Sequence, residues 1–461
     1  MTFKEGLIAA RSQIIFLLGL IAAFGVIITL EQHQATETPS HVVIAVQSQT
    51  PSVKPRSPIP APAPEPLNAQ ERQWAAIAWK YFDNNVQSAT GLVNSVDSYS
   101  ASTMWDTASY LMALISAYRL ELLKQEAFDR RLTQAFGSLA RLPLFGEQLP
   151  NKSYNTTSLA MVDYTNKPVE KGIGWSAIDL GRLLVPFNII VWNYPAHIDE
   201  VKAILRRWRF DRLLRGGVLY GATVNSQGET VYVQEGRLGY EEYAAKSFTL
   251  LGLDVFVALK YEDFTQFIDI DGVPIPTDSR APELYEAHNY IVSEPYLLDG
   301  IEFGWDETSR DFASRVYEAQ YQRFLRLGIP TAVSEDNIDQ PPYFVYNTVF
   351  TNGKAWNCIA ESGEDASAFR SLSTKAAFGW HTLYRTSYTK LLIDKVHDLF
   401  DPERGWYSGV YEADGRPNKS ITANTNAIIL EALAYKQFGK LVSFQAPAFR
   451  DSTPSLAGAH Q

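Results

Sequence analysis

The sequence predicts an all-α fold, an (α/α)6 toroid with β-hairpin-like loops crowding one mouth, preceded by one N-terminal transmembrane helix. Three observations predict it. Between about residues 70 and 440 a Gly-punctuated, aromatic or β-branched stretch repeatedly leads into an apolar helix, at roughly 60-residue spacing. Helices that carry charges alternate with the apolar ones. An uncharged run near the N-terminus stands apart from both.

That run, residues 14–30, is about 17 residues long, at the short end of what crosses a bilayer at 1.5 Å per residue. Lys4 and Arg11 precede it, and the next basic residue is Lys54. The positive-inside bias keeps the N-terminus cytoplasmic and sends the rest outward. Glu31, Gln32 and His33 follow in place of the small residues of a cleavage site, which favours a signal-anchor over a removed signal peptide. The expectation is a single-pass inner-membrane protein with its C-terminal domain in the periplasm, where residues 1–30 form a cytoplasmic stub and anchor. Residues 31–70 read as a Pro-rich linker, because the Pro60-Ala61-Pro62-Ala63-Pro64 alternation favours extended polyproline geometry. The barrel domain is expected over 71–442, and a Ser/Pro/Ala-rich tail over 443–461.

Within the barrel the clearest units start at Gly91, Gly216 and Gly405. Thr103-Met104-Trp105-Asp106 opens an apolar helix to Tyr118. Gly216–Tyr220 and a hairpin around Gln227-Gly228 precede a helix expected from Gly239 to about Leu259. Gly405–Tyr411, a turn at Gly415 and Thr422–Asn426 precede a helix to about Phe438. Weaker units fall at Gly172–Pro186 and Phe344–Tyr384. Helices near 124–140, 197–210, 308–327 and 387–399 carry charges and are expected outside, because a helix apolar nearly all round belongs inside. About six such pairs close a ring. Ser293–Gly300 and Ser334–Asp339 read as loops, and Asp269–Gly272 as a turn.

Composition bounds the chemistry. Lys+Arg 41 against Asp+Glu 51 leaves a net charge of −10, which argues against a nucleic-acid backbone as partner. The one cysteine, Cys358, closes no internal disulfide, and no CxxC motif exists. HExxH, P-loop, GxSxG and strand-to-helix GxGxxG patterns are absent, and no histidine has a second one at ligand spacing. No cofactor is called for. Glu335, Asp336, Asn337 and Asp339 are oxygen donors, yet they lack the spacing of a calcium loop.

What remains is carboxylate chemistry. Asp106, Asp179, Glu241 or Glu242, and Asn424 each sit at the start of an inner helix, where side chains point into the mouth. Acids there are also favoured by the helix dipole and by capping alone. Their company points further: Trp105, Trp175, Tyr240 and Tyr243 adjoin them, and aromatics make up 13% of the chain. A protonated acid, an opposing base and flat apolar faces are what glycosidic-bond hydrolysis uses. Glu242 has Lys246 four residues on, the spacing of an exposed ion pair, so Glu241 is the preferred inward acid. Asp106 or Asp179 is then the base. Glu294, Tyr296, Asp336, Asn337 and Tyr346 are expected to bind substrate.

The blocks Trp105–Ser109, Gly174–Leu184, Tyr240–Lys246, Ser293–Tyr296, Glu335–Asn337 and Tyr343–Asn347, in this order, resemble the bacterial domain of unknown function 3131 family over roughly residues 74 to 440. That family is similar in turn to glycoamylase-like (α/α)6 proteins, which include endo-β-1,2-glucanases. With the anchor read above, the resemblance implies a periplasmic barrel acting on a β-glucan or exopolysaccharide. A non-catalytic glycan-binding accessory of a polysaccharide synthase complex remains the alternative, distinguished by a mouth that keeps aromatics and lacks an acid/base pair.

Overall fold

The computed structural model describes residues 59–280 and 288–444. The expected anchor at 14–30 lies outside them, as do the first part of the linker and most of the tail. Among the described residues no helix is long and apolar enough to cross a membrane.

Eleven labelled helices carry the described fold: α1 (Ala69–Asn85), α2 (Met104–Arg119), α3 (Gln125–Leu139), α4 (Ala177–Asn193), α5 (Ile198–Leu205), α6 (Tyr240–Thr249), α7 (Glu294–Leu298), α8 (Glu307–Leu327), α9 (Thr374–Tyr384), α10 (Ser387–Val396) and α11 (Ala423–Phe438). Helices α2, α4, α6, α7, α9 and α11 pack each on the next, and α11 returns to α2. That closes the inner ring. Helices α1, α3, α5, α8 and α10 lie outside it, and the segment 250–264, built of turns, stands where a sixth outer helix would fall.

Burial follows the pattern that separated the two rings. In α11 residues Ala427 to Ala434 are all buried, and each fully buried Leu or Ile contributes roughly 1.5–3 kcal/mol. In α3, by contrast, Phe128, Leu132, Ala135, Phe136 and Leu139 form one apolar stripe and the charges face out. Close approach within the ring depends on small residues. A Cβ at Gly181 of α4 would lie 2.6 Å from the Cβ of Ala244 on α6. Gly174, at φ +115°, lets the loop before α4 pass against the carbonyl of Ala222.

Short antiparallel sheets fill the loops before the inner helices; the hairpins around Gln227-Gly228 and Gly415 follow the Gly-punctuated stretches, but seven sheets among the described residues are more strand than the all-α reading expected. Val218–Val224 pairs with Thr230–Gln234, and Gly405–Tyr411 pairs with Pro417–Ile421 around the Gly415 turn. Thr265–Ile270 pairs with Val273–Asp278, with Asp271 and Gly272 both left-handed in the turn. Glu335–Asn337 pairs with Phe344–Asn347, which pairs onward with Cys358–Ala360.

Three expectations need correction. The helix opening at Gly239 stops at Thr249, ten residues short of Leu259, because Gly252 takes a left-handed conformation at φ +75° just beyond it. Ser293–Gly300 is helical: Glu294–Leu298 forms α7 and runs into a π-turn over Asp299–Phe303, since Pro295 is tolerated in a first turn. The linker ends before residue 70. The Glu65 N–H donates to the Lys436 carbonyl at 2.8 Å, Leu67 is buried, and Asn68 caps α1 in a reciprocal box with Glu71.

Candidate active site

The first turns of the inner helices converge at one mouth. Thr103 caps α2 by accepting the Asp106 N–H, and its hydroxyl donates to the Asp106 carboxylate at 2.8 Å. Ser176 caps α4 in the same way through Asp179 N–H at 3.0 Å. Each T-x-x-D or S-x-x-D pattern therefore fixes an aspartate at a helix start. Both aspartates are half-buried, open to the mouth on one side.

Burial and, after it, the neighbouring Glu235 drive the Asp179 carboxyl up to about 7, against the Ser176 hydroxyl and Lys152. Asp106 is also pushed up by burial, against the hydroxyls of Ser95 and Thr103, which favour its charged form. Asp106 in turn feels Glu294 and Lys375. These groups are electrostatic neighbours across one opening.

Glu294, on the first turn of α7, is wholly buried and gathers three partners. Trp105 Nε1–H donates to it at 3.1 Å, Asn424 Nδ2–H at 2.7 Å, and the Lys375 ammonium pairs with its other oxygen. Lys375 also stands 3.6 Å from Asp336. Burial lifts Asp336 to about 6 and Glu335 to about 7, and Lys375 counters both. Because strand residues alternate in direction, Glu335 lies opposite Tyr346 in the register while Asp336 lies opposite Val345. The oxygen donors of Glu335–Asp339 therefore do not converge, and among the described residues no cluster of His, Cys, Asp or Glu is built to hold a metal.

The aromatics divide into two sets. Trp105 and Tyr240 are half-buried at the mouth with ring centroids 5.6 Å apart, and Tyr346 stacks on Tyr290 at 3.8 Å. Tyr164, 52% exposed, feels Asp179, Glu235 and Glu361, and Tyr346 feels Tyr164, Glu335 and Glu361, so the tyrosines rim the acids. Trp175, Tyr243 and Tyr296 are buried and are not platforms. Trp175 packs on Phe145 and donates to the Tyr220 carbonyl, and Tyr296 sits behind Gly239. Tyr243 donates to Glu302 at 2.7 Å, deep in the ring.

The preferred acid changes with this geometry. Glu241 and Glu242 are each 3% exposed. Glu241 is paired with Arg280 at 2.6 Å and accepts from Gln234 at 3.1 Å, so burial and a cation pull its proton affinity in opposite directions. Glu242 does not pair with Lys246. It accepts the Gly239 N–H at 2.7 Å, while Lys246 turns to Asp299 and Asp306 at 2.7 and 2.6 Å. Of the residues named from the sequence, the structure brings Asp106, Asp179, Glu294, Asn424, Trp105 and Tyr240 to one mouth, with Tyr346 on a neighbouring strand, while the Asn337 side chain turns to the Tyr343 carbonyl. Sequence reasoning missed Glu235, Lys375, Arg280 and Tyr164. Glu235 lies in the Gly-punctuated Gln234-Glu235-Gly236 stretch before α6, the one signal that marked its neighbourhood.

A closed ring of six helices with an acidic, aromatic mouth defines an (α/α)6 toroid. The chain belongs to the family described as Protein of unknown function (DUF3131), whose model matches residues 73–439. Solved structures share the fold at low identity. An endo-β-1,2-glucanase from Chitinophaga pinensis, in complex with sophorotriose and glucose, is 12% identical with a TM-score of 0.58, over 82% of this chain and 94% of that one. An endo-β-1,2-glucanase from Talaromyces funiculosus, in complex with sophorose, is 13% identical with a TM-score of 0.55, over 81% and 84%. A Bacteroides fragilis protein bearing a provisional glucoamylase name is 12% identical with a TM-score of 0.58, over 84% and 94%. The chain matches none of the curated proteins with which it was compared.

Proposed function

We propose that the protein is a glycoside hydrolase, anchored in the inner membrane through residues 14–30 with its barrel in the periplasm, acting on a β-glucan or exopolysaccharide. The observation that carries this reading is the pair Asp179 and Asp106 on adjacent inner-helix starts. Asp179 is raised to about 7, so it holds a proton near neutrality, whereas Asp106, also raised by burial, is held towards its charged form by two hydroxyls, those of Ser95 and Thr103. Two carboxyls whose surroundings separate their roles are what acid/base cleavage of an acetal uses.

In this reading Asp179 protonates the leaving glycosidic oxygen. Asp106 takes a proton from the attacking water, and Trp105 with Tyr240 supplies faces for the sugar rings. Glu294, pinned by Lys375, Trp105 and Asn424, fixes the floor of the site and orients the Trp105 ring. Glu241, tied to Arg280, becomes a wall rather than the acid. The similarity to β-1,2-glucanases supports β-1,2-glucan as the first substrate to test.

The experiment is reducing-end release by the purified full-length protein on β-1,2-, β-1,3-, β-1,4- and mixed-linkage glucans, with Asp179→Asn, Asp106→Asn and Glu241→Gln alongside. Activity on one linkage, lost in both Asp variants, supports the assignment. Binding without release by the unmodified protein would place it instead as a glycan-binding accessory of a polysaccharide synthase complex.

A further inference from the structure

One carboxyl at the mouth has no task in that scheme. Glu235 directly follows the hairpin strand Thr230–Gln234 and reaches across to the first turn of α4. Its Oε2 accepts the Ala177 N–H at 2.5 Å, and the backbone of Ile178 and the Ser176 side chain also hydrogen-bond to it. Burial raises the proton affinity of Glu235, and Lys152, the hydrogen bonds from the free N–H groups of this 17-residue helix and the helix dipole oppose the rise by favouring its charged form. Two residues on stands Asp179, whose carboxyl shares the same Ser176 hydroxyl. A single hydroxyl hydrogen serves one carboxyl at a time.

The strand is held in place by close packing. A Cβ on Gly221, in the partner strand, would lie 2.4 Å from the Glu235 carboxylate, so the side chain is confined against α4. The other charges around the pair are few. Lys152 faces both carboxyls, Asp106 faces Asp179 from α2, and the Tyr164 hydroxyl faces both from the rim.

We propose that Glu235 is a positioning residue of this site, a carboxylate locked on the first turn of α4 that keeps the proton on Asp179. The physical logic is that of two carboxyls sharing one place: whichever has better donors ionises, and its charge holds the proton on the other. Glu235 has the backbone N–H groups of α4. Asp179 has burial and half a hydroxyl. The proposal rests on Asp179 being the proton donor, and it adds the reason why an aspartate remains a donor at neutral pH.

The test separates the two claims. The full-length protein, labelled with 13C at aspartate side-chain carboxyls, is titrated without substrate. Asp179→Asn identifies the Asp179 resonance by its loss. In Glu235→Gln, which keeps an oxygen for the Ala177 N–H, that resonance is expected to titrate about one pH unit lower. Lys152→Met is expected to move it the other way. The alkaline limb of glucan hydrolysis should move down with the resonance in Glu235→Gln while KM changes less than twofold. An Asp179 midpoint that is the same in folded Glu235→Gln and in the parent overturns the proposal. A midpoint that moves while the activity limb stays put upholds the Glu235 role and overturns Asp179 as the donor. Should Glu235→Gln fail to fold, Gly221→Ala, which crowds the same carboxylate, is titrated in its place under the same two outcomes.

Discussion

The depth of the barrel and its mouth are built from the same residue types with opposite outcomes. At depth, Arg182 of α4 donates to Glu431 of α11 at 2.8 Å and to Tyr243 of α6 at 2.7 Å, and it pairs with Glu302 of the π-turn after α7. Three inner helices and the π-turn after α7 meet on one guanidinium, and all of these side chains are fully buried. At the mouth, Asp179, Glu235, Asp106 and Glu335 are half-buried and outnumber the nearby cations Lys152 and Lys375. Where a buried acid has its cation, it joins helices. Where several acids share few cations, burial raises their proton affinity, and Asp179 and Glu335, lifted to about 7, can give up a proton near neutral pH.

The largest effect should come from breaking the deep cluster. Arg182→Met leaves Glu302 and Glu431 buried without a cation, and is expected to cost about 3–5 kcal/mol in urea or thermal unfolding. Replacing Arg182, Glu302 and Glu431 together by Leu or Met should recover most of that loss. A single variant as stable as the parent would show that the cluster does not bind the ring together.

At the mouth the same kind of change should act in reverse. Asp179→Asn is expected to reduce glucan hydrolysis by about 100-fold or more, as removal of a general acid does. It should also raise stability at pH 8 by about 2 kcal/mol, because the ionised form is the one that burial penalises. The sign is fixed by linkage. Asp179 has a folded value of about 7 against an ordinary 3.8, so the folded state binds more protons over that window. Its contribution is present at acid pH and is lost as pH rises from about 4 to 7. Glu335, lifted to about 7, and Asp336, lifted to about 6, act in the same direction. Melting curves from pH 4 to 8 should therefore decline in the parent more steeply than in Asp179→Asn.

A smaller effect separates the two kinds of tryptophan. Trp105→Ala should raise KM severalfold, roughly 1 kcal/mol of lost ring stacking and of a donor to Glu294. Trp175→Ala should instead destabilise the fold, by about 3–5 kcal/mol, as a core truncation does. Unfolding and kinetics on both variants check the division.

What could be read in advance follows the same split. The ring was legible because apolar helices and charged helices have different periodicities, and because Thr103 and Ser176 stand three residues before Asp106 and Asp179. Local spacing carries that information. The partner of Glu241 was not legible, since Arg280 lies 39 residues away across a hairpin. Nor was the burial of Tyr243 and Trp175, because a helix start sets direction but not depth. Glu242 was assigned to Lys246 from an i, i+4 rule that holds on exposed helices, whereas both residues sit inside a ring where Asp299 and Asp306 outcompete it. The anchor and the periplasmic location rest on residues outside the described structure.

The most direct measurement is the pH dependence of reducing-end release from β-1,2-glucan by the full-length protein and by Asp179→Asn. The parent is expected to lose activity through an alkaline limb near pH 7, and the variant to show weak activity with that limb gone. A limb that persists unchanged in Asp179→Asn and vanishes in Glu241→Gln would contradict the account and return the proton to the Glu241 carboxyl.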